Sequence, residues 1–140
     1  MKRSLLAGVL IGTALTMSAA SAQALRADFG RNEYRANCVV CHGDKGKGDG
    51  SYAELLKTRV PDLTTLSTRS GNVFPFSNVV KAVDGREMPK AHGSSEMPIW
   101  GQAYSAKAAE LYQGHAYNAE SFVQARILAL VEYLYTLQAR

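Results

Sequence analysis

Cysteine is scarce in this 140-residue chain, which has only Cys38 and Cys41. No second pair follows them, so a structural zinc site, which ordinarily takes four protein ligands, is excluded. No βαβ pattern surrounds them, which removes a thioredoxin-like redox couple. A disulfide across so small a ring would add little stability. No stretch reads as a convincing β-strand and no internal repeat is visible, which leaves an all-α chain. The glycine-rich run ending at Gly50-Ser51 lacks the lysine of a phosphate-cradling loop. There is no basic stripe interleaved with aromatics, so no nucleic-acid partner is expected. The apolar stretch Leu5 to Ala20 contains Thr13, Thr16 and Ser18, and falls short of the ~20 residues that span a membrane.

That stretch has the layout of an export signal. Met1-Lys2-Arg3 forms a basic head, and Ala22-Gln23-Ala24 offers an A-x-A cleavage site. Residues 1–24 are expected to be a cleaved signal peptide and 25–140 a single domain with no membrane span. Removing Lys2 and Arg3 from the 16 basic residues leaves 14 against 12 acids, a formal charge of +2 instead of +4. The basic balance is thus partly a property of the presequence. Export also implies an oxidising compartment, where an unprotected cysteine pair would close.

What the chain does contain is Cys38-Val39-Val40-Cys41-His42. Two cysteines three apart with a histidine directly after the second form the spacing that attaches haem covalently. Each thiol can add across one vinyl group, and the adjacent imidazole supplies the proximal iron bond. All three side chains must fall within about one helical turn, so they are expected to end a short helix. Thioether formation would also remove both thiols from disulfide chemistry.

The rest of the chain arranges itself around this motif. Ala27 to Asn37 is expected to be an amphipathic helix with Gly30, Tyr34 and Cys38 along one face. Gly43 to Gly50 is a tight loop. Ser51 to Lys57 suggests a short helix capped by Ser51 and Glu54, Thr64 to Asn72 a polar loop, and Phe76 to Val83 a second short helix ended by Asp84-Gly85. Gly85 to Gly101 has no helical period and carries Met88, His92, Met97 and Trp100. Around a haem such a segment would cover the second face. Ser105 to Tyr112 reads as a helix, Gln113 to Asn118 as a loop. Ser121 to Gln138 is the clearest helix, with Phe122, Ile127, Leu130, Val131, Leu134 and Leu137 on its apolar face and Glu120 favourably placed at its positive end. His115 reads as a solvated loop residue. The residues alone leave three candidates for the far side of the iron: Met88, His92 and Met97.

With Gly30-x-x-x-Tyr34-x-x-x-Cys38-x-x-Cys41-His42-Gly43, a glycine-rich turn, Pro61-Asp62-Leu63, a Met-Pro loop and a C-terminal helix bearing Tyr133, the chain resembles the small class I monohaem c-type cytochromes of bacteria. The resemblance covers essentially all of 25–140 and implies the cytochrome c fold, with terminal helices crossing at the glycine. It implies one haem c on Cys38 and Cys41, His42 as proximal ligand, and the Pro61 carbonyl accepting a hydrogen bond from that imidazole. Met97, following Ala91-His92-Gly93 and opening Met97-Pro98-Ile99-Trp100-Gly101, resembles the family's distal ligand, with Met88 as the alternative. Trp100 would line the haem pocket.

The function expected is one-electron transport in the periplasm, not catalysis, by a monomer meeting periplasmic or membrane-bound redox proteins through small, weak interfaces. Lys45, Lys47, Arg86 and Lys90 would frame the haem edge and could steer an acidic partner. Two other readings keep the haem. One is an electron-accepting subunit of a dehydrogenase or oxidase complex; the other is an enzyme or gas sensor with an open sixth position.

Overall fold

The structure is a computed structural model that describes residues 28–86, 97–113 and 116–139. The expected signal peptide, its cleavage site, Met88, Lys90, Ala91, His92, Gly93 and His115 lie outside the described residues. Among those described there is no strand, and helices account for the regular structure: α1 over 28–37, α2 over Val39–His42, α3 over Leu66–Arg69, α4 over Phe76–Asp84, α5 over Trp100–Tyr112 and α6 over Ala116–Thr136. The all-α expectation holds.

Apolar periodicity explains how the helices assemble. Val79 and Val83 of α4, Tyr104 and Ala108 of α5, and Val123, Ile127, Leu130, Val131 and Leu134 of α6 recur at spacings of three or four and are buried. With Tyr34 and Cys38 they form one core cluster. Fully burying one large aliphatic side chain contributes about 1.5–3 kcal/mol, so α6, with the most such positions, is the principal support of the fold.

Helix α1 crosses α6 at Gly30. A Cβ at that position would overlap the Ala129 carbonyl and touch Cβ of Tyr133. Only a glycine permits this approach, which also brings the Tyr34 and Tyr133 rings to 5.3 Å between centroids. Gly30 is therefore a packing residue. The C-terminus returns to the middle of the chain: Gln138 accepts from Ser67 N (3.0 Å) and donates to Leu63 O (2.8 Å), and Ala139 N donates to Thr64 O (2.8 Å).

Several boundaries differ from expectation. Ser51 to Lys57 holds only a 3₁₀ turn, Ala53–Leu55, preceded by Tyr52 with no side-chain cap. Gly50 N and Tyr52 N are bonded to the Cys41 and Val40 carbonyls of α2, which draws this stretch into the glycine-rich loop and leaves a single helical turn. The polar stretch from Thr64 is partly helical, because the Asp62 carboxylate caps Thr64 N at 2.8 Å and starts the turn Leu63–Thr65 that leads into α3. Helix α5 begins at Trp100, five residues early, and α6 at Ala116. Glu120 consequently lies in the second turn of α6, bound to Arg86, and not at the helix start.

Candidate haem site

The Cys38–His42 segment is wound as a single turn continuing α1. Cys38 N donates to Tyr34 O at 2.8 Å, while Cys41 N and His42 N both donate to Cys38 O at 3.1 and 2.8 Å. Both thiols are free; Cys38 is buried and Cys41 half-buried. Burial, and after it the charge of Glu33, push the Cys38 thiol up to about 12.

A four-residue helix leaves its carbonyls without internal partners. The glycine-rich loop supplies them by folding back: Gly48 N reaches His42 O at 2.9 Å, Gly50 N reaches Cys41 O at 3.1 Å, and Tyr52 N reaches Val40 O at 2.8 Å. Gly43 makes the reversal in the left-handed region, at φ 77°. Its carbonyl accepts a 2.6 Å hydrogen bond from the buried Tyr34 hydroxyl. The loop then ties down the next segment, since Leu63 N donates to Gly46 O at 2.7 Å. These contacts carry Pro61 to the imidazole. Nδ1 of His42 is buried and makes no hydrogen bond of full geometry. Burial lowers the His42 pKa, and the Pro61 carbonyl partly opposes this, acting as a loose acceptor near that nitrogen.

Met97 and Trp100 pack against the core cluster to which Cys38 belongs. Trp100 opens α5 and stacks obliquely on Tyr104, 6.1 Å between centroids. Gly101 is pressed against Asp84 and the Arg86 guanidinium, where a Cβ would not fit. Arg86 is not a free steering charge. It is held by Asp84 at 2.6 and 2.9 Å and by Glu120 at 2.8 and 2.9 Å. Lys45 and Lys47 remain exposed on the glycine-rich loop.

The cytochrome c family model matches residues 27–138. The chain belongs to the cytochrome c family. No curated protein and no solved structure gives a significant match. The all-α arrangement is accordingly the cytochrome c fold, and the protein is a c-type cytochrome: its cofactor is covalently bound haem c, and its activity is haem-based electron transfer.

The donor set of this cytochrome fits that cofactor. Two thiols and an imidazole share one turn, and Nδ1 of that imidazole is buried without a hydrogen-bond partner. No helix among the described residues is long and apolar enough to cross a membrane.

The structure also brings together three residues that sequence reasoning passed over. The Glu33 carboxylate is 7 % exposed, receives the Tyr104 hydroxyl at 2.9 Å, and pairs with Arg126 at 2.7 Å. A signal existed for one of them. Arg126 lies four residues from both Phe122 and Leu130, so it occupies the apolar register of α6.

Proposed function

We propose that this cytochrome c is a class I monohaem carrier, exported by cleavage of residues 1–24 and working in the periplasm as domain 25–140. Cys38 and Cys41 would hold the haem through thioethers, and His42 and Met97 would supply the ligands to its iron. The haem so held supplies one-electron exchange between Fe(III) and Fe(II).

The chain's own residues fix how that exchange proceeds. The Pro61 carbonyl orients His42 and raises its basicity through Nδ1. A thioether from Met97 favours Fe(II) and raises the potential relative to a second imidazole. Trp100 and the surrounding apolar cluster exclude water. With His42 and Met97 both serving as iron ligands, no open position would remain for a substrate, which favours a carrier over an enzyme or gas sensor. Lys45 and Lys47 give the protein a positive rim suited to brief encounters with acidic redox partners, soluble or membrane-bound.

The observation that carries this reading is the single turn holding two free thiols and the imidazole, with Met97 packed into the cluster that contains Cys38. It is tested with optical and magnetic spectra of the native protein, Met97→Ala and Met88→Ala. The methionine–iron signature should vanish in Met97→Ala and persist in Met88→Ala; the reverse pattern makes Met88 the ligand. Mass spectrometry of the native protein should show one covalently retained haem.

A further inference from the structure

One buried ionic group has no part in attaching the cofactor. Glu33 lies on α1, five residues before Cys38. Its carboxylate meets Arg126 of α6 at 2.7 Å, the Tyr104 hydroxyl of α5 at 2.9 Å, and the Asn37 amide of its own helix at 3.3 Å. The Arg126 guanidinium is in turn enclosed by three rings: Phe122 at 4.8 Å, Tyr104 at 5.4 Å and Phe29 at 5.6 Å. Its Nε is buried without a hydrogen-bond partner, with aromatic faces around the guanidinium. Arg126, Tyr104 and Asn37 face the Glu33 carboxylate.

A carboxylate and a guanidinium held this way are poorly screened by solvent and salt. The pair lies close to the cofactor's attachment point: Asn37, whose amide meets Glu33, is the chain neighbour of Cys38, and Tyr104, whose hydroxyl meets Glu33, belongs to the same buried cluster as Cys38.

We propose that Glu33 and Arg126 are positioning residues for the redox reaction: a charge-compensated pair on the helix that carries Cys38, which sets the haem's reduction potential. The proposal rests on the haem being carried at Cys38 and Cys41. An anion near the iron favours Fe(III), and a cation favours Fe(II). Paired, the two nearly cancel. Without Arg126 the buried anion is left uncompensated, and without Glu33 the buried cation is.

The experiment is potentiometry on holoprotein whose covalent haem has been verified by mass, for native, Glu33→Gln, Arg126→Met, Arg126→Lys and the Glu33→Gln/Arg126→Met double variant. Glu33→Gln should raise the potential and Arg126→Met lower it. Each should change the Fe(III)/Fe(II) ratio at fixed potential roughly three- to tenfold, tenfold being about 59 mV for one electron. Arg126→Lys and the double variant should stay within about twofold of native, because each restores charge balance. A purely structural role would admit water in every variant and shift the single variants in one direction; that result, or unchanged potentials, overturns the proposal. Should Arg126→Met not accumulate, Glu33→Gln decides alone, since an unchanged or lowered potential overturns it. Native protein lacking covalent haem would instead defeat the underlying site assignment.

Discussion

Two arginines in this cytochrome each bind a carboxylate across helices, and their surroundings differ sharply. Arg126 holds Glu33 in the interior, with side-chain exposures of 23 % and 9 %. Arg86, 27 % exposed, holds the half-buried Asp84 and reaches Glu120 at the surface, where the Glu120 side chain is 53 % exposed. By count of hydrogen bonds the surface group is the richer, with two contacts to each carboxylate. Burial reverses the ranking of consequences. Removing one partner from a buried pair strands a charge in low dielectric, at a cost of about 3–5 kcal/mol. Water replaces a lost partner at the surface, where a pair contributes about 0–1 kcal/mol. The surface group fastens the end of α4 to the second turn of α6; the interior one ties α1 to the middle of α6.

The strongest way to test this contrast is to strand Glu33. Arg126→Met should lower the unfolding free energy of the holoprotein by about 3–5 kcal/mol. The drop would be read as a lower denaturant midpoint at unchanged slope. Adding Glu33→Gln should recover part of it, because a neutral amide can still accept from Tyr104. A loss below about 1 kcal/mol would put the buried pair in the surface class and erase the distinction.

How much of this could be read beforehand depends on whether the relevant contacts are local. Cys38, Cys41 and His42 are sequence neighbours, so one helical turn fixes their relation before any tertiary structure exists. The Gly30–Tyr34–Cys38 spacing similarly anticipated the close crossing of α1 and α6. Where a contact spans the chain, the signal was half present. The register of Arg126 on the apolar face implied burial, but nothing near it in sequence named Glu33 or Tyr104. Trp100-Gly101 read as loop because glycine and the preceding Met97-Pro98 break helical patterns. In the fold, that glycine opens α5 where a side chain would collide with Asp84 and Arg86. Tertiary packing overrode propensity there. Met97 and Met88 both precede proline, so local sequence does not choose between them.

A smaller perturbation probes the same interior indirectly. Gly30→Ala would place a methyl against the Ala129 carbonyl and push α1 from α6, at a cost of roughly 1–3 kcal/mol by overpacking. Glu33 is one turn from Gly30 and Arg126 one turn from Ala129, so the displacement should also loosen the buried pair. Arg86, which contacts neither side of that crossing, should be unaffected. Denaturation of Gly30→Ala alone and combined with Glu33→Gln would show it: losses smaller than additive indicate coupling at this crossing, whereas additive losses separate it from the ion pair.

The smallest effect belongs to the surface group, and its pH dependence gives it away. Hydrogen bonds from Arg86, and then from Gln124, hold the Glu120 carboxyl down at about 2, below its ordinary 4.5. A carboxylate more acidic when folded than when unfolded stabilises the fold above the unfolded value, and that contribution fades as pH falls through the folded one. Half exposure limits it to about 0–1 kcal/mol. Glu120→Gln should therefore be slightly less stable than native at neutral pH. The gap should narrow below pH 4.5 and close near 2, and added salt should shrink it at neutral pH. The interior pair should resist the same salt. A Glu120→Gln deficit that is large and insensitive to salt would mean that Arg86, like Arg126, acts from inside the protein despite the exposure of its partner.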